Sequence, residues 1–490
     1  MVCSTWAANL MWVLLGANWI LEGRWKEKWQ MARNSRALQA YVAFCLILLV
    51  GMLWTTDSAA GWTILRVKLP LLVVPLVMLT TPPLHGRVRN IVLWLFAGTV
   101  LVVSIISSIR LFTIEGLPYR EAVPYISHIR FALCCCMVIF ISLAGLHRSK
   151  TPLPVVTCIV LALWMLCFLI LIRSYTAIAV LLAVSLAAAL HWRRRWWAVA
   201  LWVAVVGGAA IAVGCEVHRY YSPVPMATAP LRATTDGGRP YYHAQDGIIE
   251  NGNLLNNYIC LDELRNEWPH RSAVPLDSDM NDGYSLEAVL IRHLNALNLT
   301  KDSAGLWAMP DEAVRAVERG VANPVYESRN QLRKMVYVML FEREHYVHTG
   351  SVVGFTMLQR FELWRATWRV VKAHPIAGVG TGDAVNAVHA ELTAMDSALA
   401  GTAKHTHNVY LTLLAMVGAL GFAAIVAMAL RAMLSYCRSS LSGSRTPLMI
   451  AWLIVILISF ITEDSLDTLA GILFCTWFLF ARHGSPHHVQ

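Results

Sequence analysis

Long apolar runs broken by short polar loops set the rhythm of the chain. Runs near 91 to 109, 131 to 146, 155 to 172, 174 to 190, 196 to 214, 408 to 430, 446 to 462 and 466 to 481 approach or exceed the roughly 17 to 25 residues that a helix needs to cross hydrocarbon. Shorter runs lie near 7 to 21, 39 to 54 and 69 to 82. A backbone in lipid must close its hydrogen bonds within the segment, so each run reads as a helix. The pattern predicts an all-α polytopic membrane protein with about 11–12 transmembrane helices.

One long stretch, 215 to 404, lacks such runs and separates eight of them from the last three. The expected organisation is therefore 1–214 as an N-terminal transmembrane bundle, 215–404 as a helical periplasmic domain and 405–490 as C-terminal transmembrane helices. "SPVPMATAPLRATTDGGRPYYHAQDG" reads as irregular, because Pro, Gly and Thr punctuate it. After it, "NGNLLNNYICLDELRNEW" reads as a helix opening after Asn and Gly. "YSLEAVLIRHLNALNL" places Leu286, Val289, Leu290, His293, Leu294 and Leu297 on one helical face. "PDEAVRAVERG" has Pro310 and acids at its start and Gly320 at its end, the favoured polarity of a helix.

Composition agrees with a membrane protein: 57% of residues are hydrophobic and only 14% charged, against roughly 25% charged in ordinary soluble domains. The net charge of +10 does not point to nucleic acid, because the cations collect in short loops. Arg24, Lys26, Lys28, Arg33 and Arg36, then Arg87 and Arg89, Arg148 and Lys150, Arg193 to Arg195, and Arg431, Arg438 and Arg445 mark those loops as cytoplasmic. The alternation places 215–404 and the loops near 55 to 63 and 113 to 127 outside, together with the N-terminus. No A-x-A site follows the first run, which argues against a removable signal peptide. Nine of eleven cysteines sit in or beside runs, where Cys134, Cys135 and Cys136 read as small apolar packers. Cys215 and Cys260 alone lie in the outer stretch and are open to pairing. No Cys/His metal spacing is present, and neither metal nor cofactor is expected.

The polar groups that stand out all fall at the outer edge of the runs. Arg173 sits between two apolar runs in "LILIRSYTAIAVLL", either facing a partner or substrate or snorkelling to headgroups. His405, His407 and Asn408, beside Lys404, open the run at 408, as proton carriers or as interface anchors. In "QRFELWRATWRVVKAHPIAGVGTGD", Phe361, Trp364, Trp368 and Val371 share a face that suits either the headgroup layer or a domain core. Gly378, Gly380 and Gly382 follow Pro375 and can turn N–H groups toward an anion or simply make a turn. Gly418 and Gly421 permit close helix contact. Glu463, Asp464 and Asp467 in "ITEDSLDTLAG" can pair with Arg173 or the basic helix, or cap the last run. Together these groups suit an anionic, lipid-linked substrate at the interface, since arginine grips a diphosphate in a fork.

"RFELWRATWRVVKAHPIAGVGTGDA" followed by "HTHNVYLTLLAMVGALGF" resembles the paired signature of the O-antigen ligase and polymerase superfamily: an Arg-x-x-x-Trp helix, a Pro-x-x-Gly-x-Gly turn, then His-Asn-x-x-Leu and Gly-x-x-Gly. The loop segment "DGYSLEAVLIRHLNALNLTKDSAGLW" looks like those of ligase-like members from Bacteroidetes. The resemblance implies a GT-C-like, metal-independent glycosyltransferase of the bacterial inner membrane with its site facing the periplasm. Its donor would be an undecaprenyl-diphosphate-linked glycan and its acceptor the core sugar of lipid A, with membrane lipids around it and no nucleic acid. His407 matches the family's essential histidine and would act on the acceptor hydroxyl, and Arg360 matches the loop arginine that neutralises the departing diphosphate. Arg173 is the candidate second arginine, displaced from the usual Ser-Arg order. His405, Asn408, Arg365, Gly378 and Gly380 are the remaining candidates for holding diphosphate or acceptor. A polymerase joining lipid-linked repeats and a protein O-oligosaccharyltransferase share the signature. A lipid-linked glycan transporter fits less well, because no repeated halves are visible and few ionisable residues sit mid-run.

Overall fold

The computed structural model describes residues 5–114, 117–148, 151–191, 196–228, 230–244, 246–280, 285–352, 355–402, 405–440, 446–477 and 479. Lys150, Arg193 to Arg195, Lys404, Arg445 and the first three residues of the "DGYSLEAV" segment lie outside these. Each of the eleven apolar runs contains a helix, though not every run is helical over its whole length. These helices are α1 (Thr5–Leu21), α3 (Arg36–Val50), α4 (Ser58–Thr80), α5 (Gly86–Thr113), α6 (His128–Arg148), α7 (Pro152–Leu171), α8 (Tyr175–His191), α9 (Trp196–Tyr221), α18 (Val409–Ser440), α19 (Thr446–Thr462) and α20 (Leu469–Trp477). Between α1 and α3 lies a short helix the runs did not show, α2 (Trp25–Asn34). Seven helices among the described residues are long and apolar enough to cross a membrane, α3 counting with the 3-10 turn Gly51–Trp54 that extends it. Three shorter apolar helices, at Trp6–Leu21, Tyr175–Leu190 and Pro447–Thr462, accompany them. The chain is an all-α polytopic membrane protein.

Between α9 and α18 come α10 (Pro225–Thr228), α11 (Leu261–Glu267), α12 (Leu286–Ala296), α13 (Ser303–Ala308), α14 (Asp311–Glu318), α15 (Gln331–Thr349), α16 (Thr356–Ala373) and α17 (Ala384–Ala394). The chain contacts define two compact units. The first comprises 1–199, 363–396 and 400–490, and the second 200–362 with 397–399.

In the first unit α6 is the central helix, packing against α5, α7, α8 and α19. Every residue from Phe131 to Ser142 is buried, Cys134, Cys135 and Cys136 among them, so the three thiols are indeed packers. α18 packs on α3, and α4 lies against α3 and α20. α4 begins eleven residues before the run read at 69. Arg66, Lys68, Pro70 and Pro75 break its hydropathy, yet its ladder holds and Asp57 caps it through Ala60 N–H at 2.9 Å.

The second unit buries Leu264, Trp268, Leu286, Leu290, Leu294, Leu306 and Val317 in one core, and Tyr220, Ile248, Tyr337 and Phe341 in another. The helical face read over 286–297 is the inner face of α12, capped by Ser285. The "NGN" expectation is corrected: Asn251 and Gly252 do not open a helix but form the turn of a small antiparallel hairpin, β1 (Ile249–Glu250) and β2 (Asn253–Leu254). Both carry positive φ, 54° and 73°, the requirement of the two-residue turn for which Asn-Gly is the preferred sequence. Cys215 and Cys260 are both free, so the pairing left open is not made.

Candidate active site

The entrance to α18 is built by its own polar residues. Asn408 accepts the Leu411 N–H at 3.1 Å and so caps the helix, which commits the side-chain oxygen of this candidate to structure. Just before it, His407 takes a left-handed backbone, φ 53°, a conformation uncommon outside glycine. His405 and His407 stand in non-helical backbone. Their separation therefore comes from the turn at His407 and not from helix rotation. Trp364 of α16 donates its indole N–H to the Thr406 carbonyl at 3.0 Å, and Thr367 lies 3.4 Å from the Thr406 hydroxyl. Of the aromatic face expected on α16, Trp368 is exposed and Val371 buried, while Leu363, Ala366, Thr367 and Val370 form the buried stripe.

Opposite His407 lies the acidic turn between α19 and α20. Asp464 Oδ2 accepts from the backbone N–H of His407 at 3.1 Å and lies 3.1 Å from its Nδ1. The carboxylate is 7% exposed and the imidazole 39%, so the ring has one edge anchored inside and the other open. Glu463 pairs with Arg130 at the start of α6, 3.1 Å, and Asp467 pairs with the buried Lys68 of α4, whose amine also donates to the Leu466 carbonyl at 3.1 Å. Three carboxylates thus hold two cations and one imidazole from three elements, and none of these partners is Arg173 or belongs to α16. Capping of α20 falls to Thr468, which accepts the Gly471 N–H at 3.3 Å. Sequence reading missed Asp464, Arg130 and Lys68 as partners. The signal was present: the runs read at 131 and 69 begin one residue beyond Arg130 and Lys68, and an intramembrane charge needs a partner.

The glycine-rich turn binds protein, not solvent. α18 is broken at Gly418 (φ 63°, ψ −175°), which leaves helix carbonyls unpaired. Val379 and Gly380 donate to the carbonyls of Ala415 and Met416 at 2.9 and 3.0 Å, and Ala419 and Leu420 donate back to Pro375 and Ile376 at 2.8 and 3.2 Å. A Cβ at Gly418 would lie 2.2 Å from the Ile376 oxygen, and one at Gly378 2.6 Å from the Ala415 oxygen. The two glycine motifs are therefore halves of one joint. The N–H groups of Gly378 and Gly380 are committed to carbonyls, so the anion cradle considered for them is not what the turn forms.

Residues 332–426, which contain the joint and His407, match a family model described as O-antigen ligase. Over that stretch the chain is similar to the O-antigen ligase-like superfamily. No curated protein matches it. The match supports a glycosyltransferase of the O-antigen ligase or polymerase type in a multi-pass membrane protein, working in general on a lipid-linked glycan and a lipid acceptor.

The other candidates are distributed unevenly. Arg173 is exposed at the entrance of α8 with φ 51°, its guanidinium 5.6 Å from the Tyr119 ring centre. Ser174 caps α8 through Ala177 N–H at 3.3 Å, and Thr176 reaches Thr462, the residue before the acidic turn, at 3.4 Å. Arg365 is exposed on α16. Arg360 is half-buried and belongs to the second unit. His405 rims a cavity of about 240 Å³ that is lined also by Ile64, Val67, Val388, Thr406 and Asp467. No group of three or more metal-ligating side chains occurs among the described residues.

Proposed function

We propose that this chain is an inner-membrane O-antigen ligase that moves a glycan from an undecaprenyl-diphosphate carrier to the core sugar of lipid A without a metal ion. The observation that carries the reading is the His407–Asp464 pair. With Nδ1 turned to Asp464, Nε2 is the ring nitrogen proposed to take the proton. The acceptor hydroxyl oxygen attacks the anomeric carbon, its proton passes to Nε2, and the sugar–phosphate C–O bond breaks with its electron pair leaving on the diphosphate. Asp464 orients the ring, the part a carboxylate plays beside a catalytic histidine elsewhere. Arg173, exposed and held in a strained backbone at a helix entrance, is the proposed charge partner of the diphosphate in the first unit. Arg360 retains the role the family signature gives it, and His405 is proposed to flank the acceptor path.

The deciding experiment is a lipopolysaccharide gel, probed for the glycan, from a strain lacking the gene and carrying wild type or His407→Ala. Free lipid-linked polymer with bare core in the mutant is the expected result. Core bearing a single repeat would make the protein a polymerase, and an unchanged ladder would remove His407 from the chemistry.

A further inference from the structure

The helix α2, which the apolar pattern did not reveal, is a ten-residue segment, WKEKWQMARN, between the apolar helices α1 and α3. Its cations divide into two kinds. Lys28 is 4% exposed. Its amine donates to the Trp19 carbonyl, pairs with Glu22 at 3.1 Å and lies over the rings of Trp19 and Trp25 at 4.7 and 5.6 Å. That lysine closes the α1–α2 corner, together with the edge-to-face contact of Trp19 and Trp25. Arg24, Lys26, Arg33 and Arg36 are all exposed, and among the described residues none of them forms an ion pair. The fold therefore uses one cation of the segment and leaves four outward.

The aromatic residues divide in the same way. Trp25 and Trp29, one turn apart, are 54% and 67% exposed, and Arg33 continues their stripe. An indole with an apolar body and a polar N–H is favoured at the level of lipid headgroups. α2 packs against α4, and Trp19 at the end of α1, over which Lys28 of α2 lies, donates to Thr80 at the end of α4 at 2.8 Å, so the α1–α2 corner adjoins that end of α4.

We infer that α2 is a docking surface for anionic glycerophospholipid headgroups, with Trp25 and Trp29 seated in the headgroup layer and Arg24, Lys26 and Arg33 on the phosphates. Charge complementarity selects this occupant, since the only carboxylates in residues 22–36 are Glu22, paired with Lys28, and Glu27. The inference is independent of the glycosyl-transfer reading.

The test uses the full chain in nanodiscs of phosphatidylcholine alone or with phosphatidylglycerol, with amide hydrogen exchange measured on α2 and α4. Exchange of α2 is expected to slow several-fold when phosphatidylglycerol is present, less so at high salt. The slowing should vanish in the triple variant Arg24→Gln, Lys26→Gln, Arg33→Gln while α4 stays unchanged. Each cation near an anionic surface is worth roughly fivefold in affinity, so native mass spectrometry should also find far less phosphatidylglycerol retained by the variant. Equal exchange of α2 in both nanodiscs, or a difference that the triple variant keeps, would overturn the assignment. Should α4 also loosen in the triple variant, Trp29→Ser, which leaves Lys28 and the corner intact, decides: unchanged slowing and unchanged lipid retention in it would overturn the seating of the stripe.

Discussion

Two buried carboxylates, one in each unit, are treated in opposite ways. Glu250, fully buried in the second unit, accepts from Arg292 through both oxygens at 3.1 and 3.3 Å, from Asn323 at 3.0 Å and from the Tyr337 hydroxyl. Four donors converge on it, three at Oε1 and one at Oε2. Asp464 in the first unit places both of its His407 contacts on one oxygen, while among the described residues Oδ1 is buried without a hydrogen-bond partner. A saturated buried network rigidifies a core. An under-used carboxylate holding a half-open imidazole is poor architecture, and on the proposed reading it is preparation for a proton transfer.

The largest effect expected from breaking this contrast falls on the saturated side. Glu250→Ala leaves Arg292 buried without its counter-charge, a loss on the order of 3 to 5 kcal/mol. Denaturant unfolding followed by protease sensitivity of residues 215–362 should show it, and a shift below about 1 kcal/mol would mean that the network relaxes. Next comes Asp464→Asn, which keeps the shape but offers the ring a different partner. Glycan transfer should fall on the order of 100-fold or more, with thermal stability nearly unchanged. Loss of stability in step with activity would instead make Asp464 a structural acid like Glu250.

A smaller effect separates charge from scaffold. Gly418→Ala pushes a methyl group to within 2.2 Å of the Ile376 carbonyl at a residue with φ 63°. About 1 to 3 kcal/mol should be lost by overpacking and strain. Gly98→Ala in α5 meets nothing within 4 Å and should be neutral or stabilising, as Ala is the better helix former. Equal melting temperatures for the two variants would mean that the joint yields freely.

The elements were legible where a single periodicity ran uninterrupted. Each of the eleven apolar runs contains a helix, and the inner face of α12 follows from Leu286, Val289, Leu290 and Leu294. α4 was half legible, because Arg66 and Lys68 lower the hydropathy of its first turns and only the tertiary partner Asp467 makes Lys68 tolerable there. α2 was illegible for a different reason: a ten-residue amphipathic helix is weak in isolation and is fixed by Lys28 reaching back to α1. At the site, His407 and the glycine turn stood out by residue type. That Asp464 faces His407, and that the turn serves a break in α18, depends on residues 57 and about 40 positions apart. Local pattern carries no register for such pairs.

The second unit offers the finest test, through a buried charge that is not matched by one. Lys301 is fully buried and donates to the Asn257 carbonyl at 3.0 Å and to Asn295 Oδ1 at 2.8 Å. Asn295 in turn donates to the Glu250 carbonyl at 3.0 Å, so the lysine sits at the edge of the saturated network. Burial pulls its amine down to about 7, against a weaker upward pull from Glu250, whereas a lysine in the unfolded chain titrates near 10.5. Between these values the unfolded chain holds a proton that the folded domain lacks. Stability contributed by this group is therefore lowest below pH 7 and rises as pH climbs from about 7 toward 10.5, by up to about 1.4 kcal/mol per pH unit. Unfolding of the second unit measured from pH 7 to 9 should show that rise in wild type, and Lys301→Met should flatten it. A wild-type curve parallel to that of the variant would mean that Lys301 stays charged in the folded domain, and the two units would then differ less in how they hold buried charge than their carboxylates imply.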